Sequence, residues 1–257
     1  MDCDVERYSR QTAIPDIGPE GQARLARMKV LVAGAGGLGT PCASYLAGMG
    51  VGHLCIVDSD VVSLSNLTRQ IMYSTADIGN EKATVLASRL HRANPGIHIE
   101  PLVTHIDRNN APNLISGFDV VASCLDNLET RYILNEACVR AGIPMVEAGI
   151  MGFTGMVTVI KAGQGPCYNC LFPQDRSIRN SSMMKKATAT YPLGVLGSTA
   201  GIAGSVQAGE VLKLLLGIGE PLVGRMLLFN HLRADFRLVS MAKSAKCPVC
   251  GHIPEHD

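Results

Sequence analysis

Short apolar runs, each closed by glycine or a polar residue, alternate with stretches of helical spacing along the first 150 residues. Lys29-Val-Leu-Val-Ala33 ends in Gly34-Ala-Gly-Gly-Leu-Gly39. A small-residue stretch then runs to Met49, and a second apolar run, His53-Leu-Cys-Ile-Val57, ends at Asp58. Strand, glycine turn, helix and strand predict a βαβ unit. The pattern repeats more loosely: a helix over Glu81 to Ala93 stopped by Asn94-Pro-Gly96, a strand over Ile97 to Val103, a buried strand over Asp119 to Ser123, a helix over Glu129 to Ala141 and a strand over Met145 to Ala148. Residues 5–28 read as a polar helical lead-in broken by Pro15 and Pro19. This alternation predicts an α/β fold with a doubly wound, Rossmann-like, mostly parallel sheet. Phe153 to Ile160 adds a strand beyond that unit, and Gly194 to Gly219, although apolar, carries Gln207, Glu210 and Lys213 and predicts a packed helix rather than a membrane span.

Composition narrows the picture. With 47% hydrophobic and 18% charged residues and a net charge of +1, the chain is an ordinary globular one, and no basic surface points to nucleic acid or anionic membrane. The 257 residues suffice for one large domain, and no linker or repeat divides them. The acidic, polar start Met1-Asp-Cys-Asp-Val-Glu6 predicts no signal peptide. Nine cysteines without one predict a reducing cytoplasm, where clustered thiols bind metal or do chemistry.

Gly34-x-Gly36-x-x-Gly39 lies between a strand and a helix, the setting in which glycines let backbone approach phosphates at a helix N-terminus. Asp58, at the end of the next strand, is placed to accept from ribose hydroxyls. Alone, these features fit NAD as readily as ATP. Asn66, Arg69 and Lys82 beyond the ribose acid tip the balance, because fixed cations neutralise charge as pyrophosphate departs, a need that hydride transfer lacks. Asp126, just after a strand, can hold Mg²⁺ beside the phosphates or can simply cap the following helix.

Cys167-x-x-Cys170 and Cys247-x-x-Cys250 are two knuckles that together make a closed four-thiolate zinc site, structural rather than catalytic. A thioredoxin-like redox pair explains one motif but not two. The staple would tie the C-terminal region to the loop after the strand near Ile160.

In order, Tyr8-Ser-Arg10-Gln11, Gly34 to Gly39, Asp58-Ser-Asp60, Ser65-Asn66-Leu-Thr-Arg69-Gln70, Lys82 and Cys124-Leu-Asp126-Asn127 resemble the signature of the ThiF/MoeB/HesA family of E1-like adenylyltransferases, over nearly the whole chain. The resemblance implies one adenylation domain over 1–257, with 1–150 as its nucleotide half and 151–257 as its substrate-facing half. It implies ATP, Mg²⁺ and Zn²⁺ as cofactors and attack of a substrate carboxylate on the α-phosphate. Gly34, Gly36, Gly37, Gly39, Asp58, Asp60, Asn66, Arg69, Lys82, Asp126 and Asn127 would bind nucleotide, with Arg10, Arg69, Lys82 and Asp126 as the catalytic set. In this family the arginine matching Arg10 reaches the partner's site, so a homodimer is expected.

The sequence departs from many relatives in its crossover loop, between Phe172 and Pro192, which contains no cysteine and so excludes a thioester or persulfide step there. Its Ser, Lys and Arg content suits a flap over substrate. Cys124, beside Asp126, reads as packed rather than nucleophilic. Three readings stay open: activation of the C-terminal glycine of a ubiquitin-like sulfur carrier protein; adenylylation of a small carboxylic acid, as in the iron-guanylylpyridinol cofactor pathway; or a nucleotide-binding module without catalysis.

Overall fold

The computed structural model describes residues 3–174 and 194–254, so most of the crossover loop lies outside the described residues. Three short helices, α1 (Cys3–Arg7), α2 (Ser9–Thr12) and α3 (Gly18–Leu25), lead into β1 (Lys29–Ala33), α4 (Gly39–Met49) and β2 (His53–Val57). After two 3₁₀ turns come α5 (Lys82–Ala93), β3 (His98–Leu102), α6 (Ala111–Ile115), β4 (Val120–Ser123), α7 (Leu128–Ala141), β5 (Met145–Met151) and β6 (Thr154–Ile160). The chain closes with α8 (Tyr168–Leu171), α9 (Gly197–Leu216), β7 (Arg225–Asn230) and β8 (Asp235–Ser240).

One eight-stranded sheet runs in the order β3-β2-β1-β4-β5-β6-β7-β8. The first five strands are parallel, and from β5 onward neighbours are antiparallel. From β1 the chain winds outward to β2 and β3, then returns to lay β4 on the other side of β1. That reversal opens a crevice at the carboxyl ends of β1 and β4, where α/β sheets bind ligands. The βαβ unit falls where the hydrophobic pattern predicted, β1 and β2 to the residue.

Two apolar cores sandwich the sheet. On one face Val30, Val32, Leu54 and Ile56 pack under α4, α5 and α9; on the other Leu31, Cys55 and Val121 pack under α6, α7 and the cysteine knuckles. Helix α9 is the packed helix expected over Gly194 to Gly219: Ala200, Ala203, Ala208 and Val211 are buried. Gly204 lets α9 approach α4 closely, since a Cβ there would lie 2.6 Å from the Leu38 carbonyl oxygen. No helix among the described residues is long and apolar enough to cross a membrane.

The lead-in departs from expectation in one respect. Pro19 starts α3 instead of breaking a helix, because the first turn has no need of its missing N–H.

Candidate active site

The loops after β1, β2, β3 and β4 enclose a cavity of about 400 Å³ at the crevice, lined by Gly34, Gly36, Gly37, Asp58, Asp60, Arg69, Lys82, Asp126 and Asn127. Nine sequence-predicted residues thus converge from segments far apart in the chain. The glycines divide their work. Gly34 has φ of +104°, and a Cβ on it would stand 2.6 Å from the Cys124 carbonyl oxygen; a Cβ on Gly39 would lie 1.8 Å from the Gly34 carbonyl oxygen. These two permit the loop to fold against β4 and start α4, while Gly36 and Gly37 face the cavity.

Asp58 braces this loop. Its carboxylate accepts from the Ala35 N–H at 2.7 Å and the Asp60 N–H at 2.8 Å. Burial raises its carboxyl above the ordinary range although both amides pull downward. Tyr73, buried beneath, donates its hydroxyl to the Ala35 carbonyl at 2.8 Å, with the Lys82 carbonyl 3.2 Å away. Lys82 opens α5 with its side chain buried and its Nζ 2.7 Å from Asp60 Oδ2. Arg69 donates to the Ser65 carbonyl at 3.0 Å and keeps a face on the cavity.

Asp126 stands exposed on the loop after β4 and lines the cavity. The alternative of a helix cap falls to its neighbour: Asn127 accepts from the Thr130 N–H at 2.8 Å at the start of α7. Three other expected residues lie outside the lining, the first of them Gly39, which opens α4 and packs on the Gly34 carbonyl instead of facing the cavity. Asn66 ends a 3₁₀ turn outside the cavity lining, its carbonyl accepting from the N–H groups of Arg69 and Gln70. Arg10 is exposed on α2, also outside the lining. Cys124 is packed, as expected: its thiol donates to Gln207 Oε1 at 3.1 Å, and burial pushes it well above the usual thiol range.

Gln70, which the signature includes without a role, and Thr130 and Arg131, which the sequence did not single out, also line the cavity. Arg131 matters most. It donates to the Leu125 carbonyl through Nε at 3.1 Å and again through Nη2, and its Nη1 lies 2.5 Å from Glu147 Oε1. Glu147 is fully buried on β5, and this pair anchors the loop that carries Asp126. A charged residue on the α7 face that also buries Leu134 and Cys138 was the available signal.

Beside this polar cavity runs a second, wider and mostly apolar groove of about 790 Å³, floored by β5, β6, β7 and β8 through residues such as Met156, Met226 and Leu228. Arg131 and Ile150 line both spaces, which therefore adjoin at these two side chains.

The four knuckle cysteines meet behind the groove. Cys167 and Cys247 sulfurs are 3.6 Å apart, Cys170 and Cys250 sulfurs 3.3 Å, and all four lie within 4.8 Å of one another. Zinc–sulfur bonds of about 2.3 Å give tetrahedral edges of about 3.8 Å, so the cluster fits a closed Cys₄ zinc site. Burial raises the Cys247 thiol, but the amides of Cys250 and Val249 together with the Cys170 and Cys167 thiols bring it down to about 6, whereas burial pushes the Cys167 thiol up to about 11. The adjoining residue Tyr168 receives order from α7, its N–H donating to Asn135 Oδ1 at 2.9 Å.

Several known proteins are similar to this chain. A Thermus thermophilus sulfur carrier protein adenylyltransferase is 41% identical over 256 residues, covering 98% of this chain and 92% of the relative. The SAMP-activating enzyme E1 of Haloferax volcanii is 42% identical, with 96% of this chain and 89% of the relative covered. Bovine adenylyltransferase and sulfurtransferase MOCS3 is 43% identical over 98% of this chain, which spans 54% of that longer protein. Among solved structures, E. coli MccB with ATP shares the fold at a TM-score of 0.82 and 24% identity, over 96% of this chain and 75% of that one. Residues 8–249 match the ThiF family, and the chain belongs to it.

Proposed function

We propose that this protein is an ATP-dependent adenylyltransferase that activates the C-terminal glycine of a ubiquitin-like sulfur carrier protein. The observation that carries the reading is that a polar, glycine-walled cavity and an apolar groove lie side by side, sharing Arg131 and Ile150 as lining. A protein-sized acceptor needs the groove, and its carboxyl tail needs the cavity beside it. The names of the Thermus and Haloferax relatives point to the same chemistry. A small carboxylic acid would leave most of the groove unused.

In this reading ATP lies across the glycine turn, its ribose hydroxyls donating to Asp58. Arg69 faces the phosphates, and Lys82, now paired with Asp60, turns towards them. Asp126 holds Mg²⁺, which spreads the charge of the phosphates when bound. A carboxylate oxygen of the carrier attacks the α-phosphorus; that O–P bond forms as the bond from the α-phosphorus to the bridging oxygen breaks. Pyrophosphate leaves, and the carrier holds an acyl-adenylate. Asn66, outside the lining, reaches the phosphates only if its turn shifts on binding. The Cys₄ zinc site fastens the C-terminal half as one adenylation domain, in a reducing cytoplasm that keeps its thiolates available.

The assembly is a homodimer. Arg10 is exposed and outside the cavity of its own chain, a position from which it would serve the site of a second copy. Mixing Arg10→Ala and Asp126→Ala subunits should then restore activity in verified heterodimers, and no recovery would remove Arg10 from the catalytic set.

ATP–pyrophosphate exchange tests the whole reading, run with purified protein, Mg²⁺, Gly-Gly-ended carriers and a panel of small carboxylic acids. Exchange that depends on a carrier is the expected result. Exchange that depends only on a small acid overturns the carrier as substrate, and nucleotide binding without exchange overturns the enzyme.

A further inference from the structure

At the amino-terminal ends of the parallel strands, away from the nucleotide cavity, β2 and β3 gather three potential ligands. The register pairs His53 directly with His98. Glu100 stands two residues further along β3, so alternation puts it on the same face of the sheet as His98. The two imidazole rings are 4.6 Å apart and inclined at 58°, and one ligand atom from each of the three residues falls within 4.8 Å of the others.

His53 supplies the decisive detail. Its Nε2 is buried and has no hydrogen-bond partner, although Glu100 Oε2 lies 3.3 Å away. Around a tetrahedral zinc ion with bonds of about 2.0–2.1 Å, neighbouring ligand atoms stand about 3.3–3.4 Å apart. The separation fits two ligands sharing an ion, and in its absence the two groups face each other as an ion-pair contact. Two imidazoles and one carboxylate suit a borderline divalent ion, not the all-oxygen shell of calcium or magnesium. The ring of Phe118, 5.7 Å from that of His53, packs beside it, while His98 is exposed and leaves a path for the ion.

We propose that His53, His98 and Glu100 form a second divalent transition-metal site, of the zinc type, separate from the four cysteines and with water in its fourth position. Its role is to clasp the edge strand β3 onto β2. That strand reaches the nucleotide cavity at its other end: the Leu102 carbonyl accepts from the Asp58 N–H at 3.1 Å, and Thr104, His105 and Ile106 form a wall of the cavity. A metal clasp at one end of β3 steadies the wall at the other.

Cobalt substitution of the full chain separates the two sites. The first equivalent, on four thiolates, gives an intense sulfur-to-cobalt charge-transfer band. The second, on nitrogen and oxygen, adds only weak visible absorption and raises the thermal midpoint. Two equivalents per chain are expected for the natural protein, and one for His98→Gln and for Glu100→Gln, both with the charge-transfer band retained as proof of folding. Uptake of a single equivalent by the natural protein overturns the proposal. Two equivalents in both variants, the mark of adventitious surface binding, overturn it equally.

Discussion

The two ends of the sheet use the same backbone logic to opposite effect. In the parallel half, strand ends and glycine turns converge on a small polar cavity whose walls are tied down: Asp58 holds the Ala35 and Asp60 amides, and Tyr73 braces the loop from below. In the antiparallel half, β5 to β8 spread into a wider, apolar groove, and the outermost strand leaves Phe236 and Leu238 largely exposed. A fixed ligand such as a nucleotide rewards walls set in advance, because no ordering remains to be done on binding. A protein partner rewards apolar area and a few anchors. The buried Arg131–Glu147 pair sits where the two designs meet.

This contrast also explains what could be read from sequence. β1 and β2 are apolar runs that end in Gly34 and Asp58, and periodicity found both to the residue. The cysteine knuckles were equally plain, since two C-x-x-C pairs have few alternative uses. Strands β7 and β8 were not anticipated: every residue of β8 is at least partly exposed, so it shows no buried run. The groove they build was invisible for the same reason. Arg131 escaped notice because its importance lies in Glu147 and the Leu125 carbonyl, partners that only the fold supplies.

The sharpest way to break the comparison is to disable the polar cavity alone. Asp126→Ala should lower carrier-dependent pyrophosphate exchange about 10³-fold, the scale of losing a group that stabilises transition-state charge. Because Asn127, not Asp126, caps α7, the thermal midpoint should stay unchanged. Surviving exchange removes the metal role from Asp126.

Arg131→Met strikes the junction. It leaves the Glu147 carboxylate buried without its partner, and unpairing a buried ion costs about 3–5 kcal/mol. Urea denaturation should register that loss, and replacing Glu147 by Met as well should recover most of it. If the double variant regains stability yet stays inactive, the pair serves to position the Asp126 loop and not only to hold the fold.

The groove can be tested without touching either. Leu228 is 40% exposed and faces Arg237 across the β7–β8 ladder, so Leu228→Glu should fold normally. Loss of an apolar anchor at an interface is worth about 1–3 kcal/mol, so the KM for carrier should rise about tenfold to a hundredfold. The KM for ATP should not move. Equal increases in both would mean that the two spaces are one site rather than two that adjoin.

The smallest expected effect concerns the start of α7. Asn127 caps α7 through the Thr130 amide while also lining the nucleotide cavity, so its two duties can be separated by substitution. Asn127→Ala removes the cap and should cost about 1 kcal/mol of stability, whereas Asn127→Asp keeps an acceptor at the helix start and should cost less. In the cavity the order reverses. Aspartate adds a negative charge beside the phosphates and should weaken ATP binding more than alanine does. Stability from thermal unfolding and affinity from nucleotide titration should therefore rank the two variants oppositely. A common ranking would mean that Asn127 serves the helix alone and that the cavity tolerates whatever stands there.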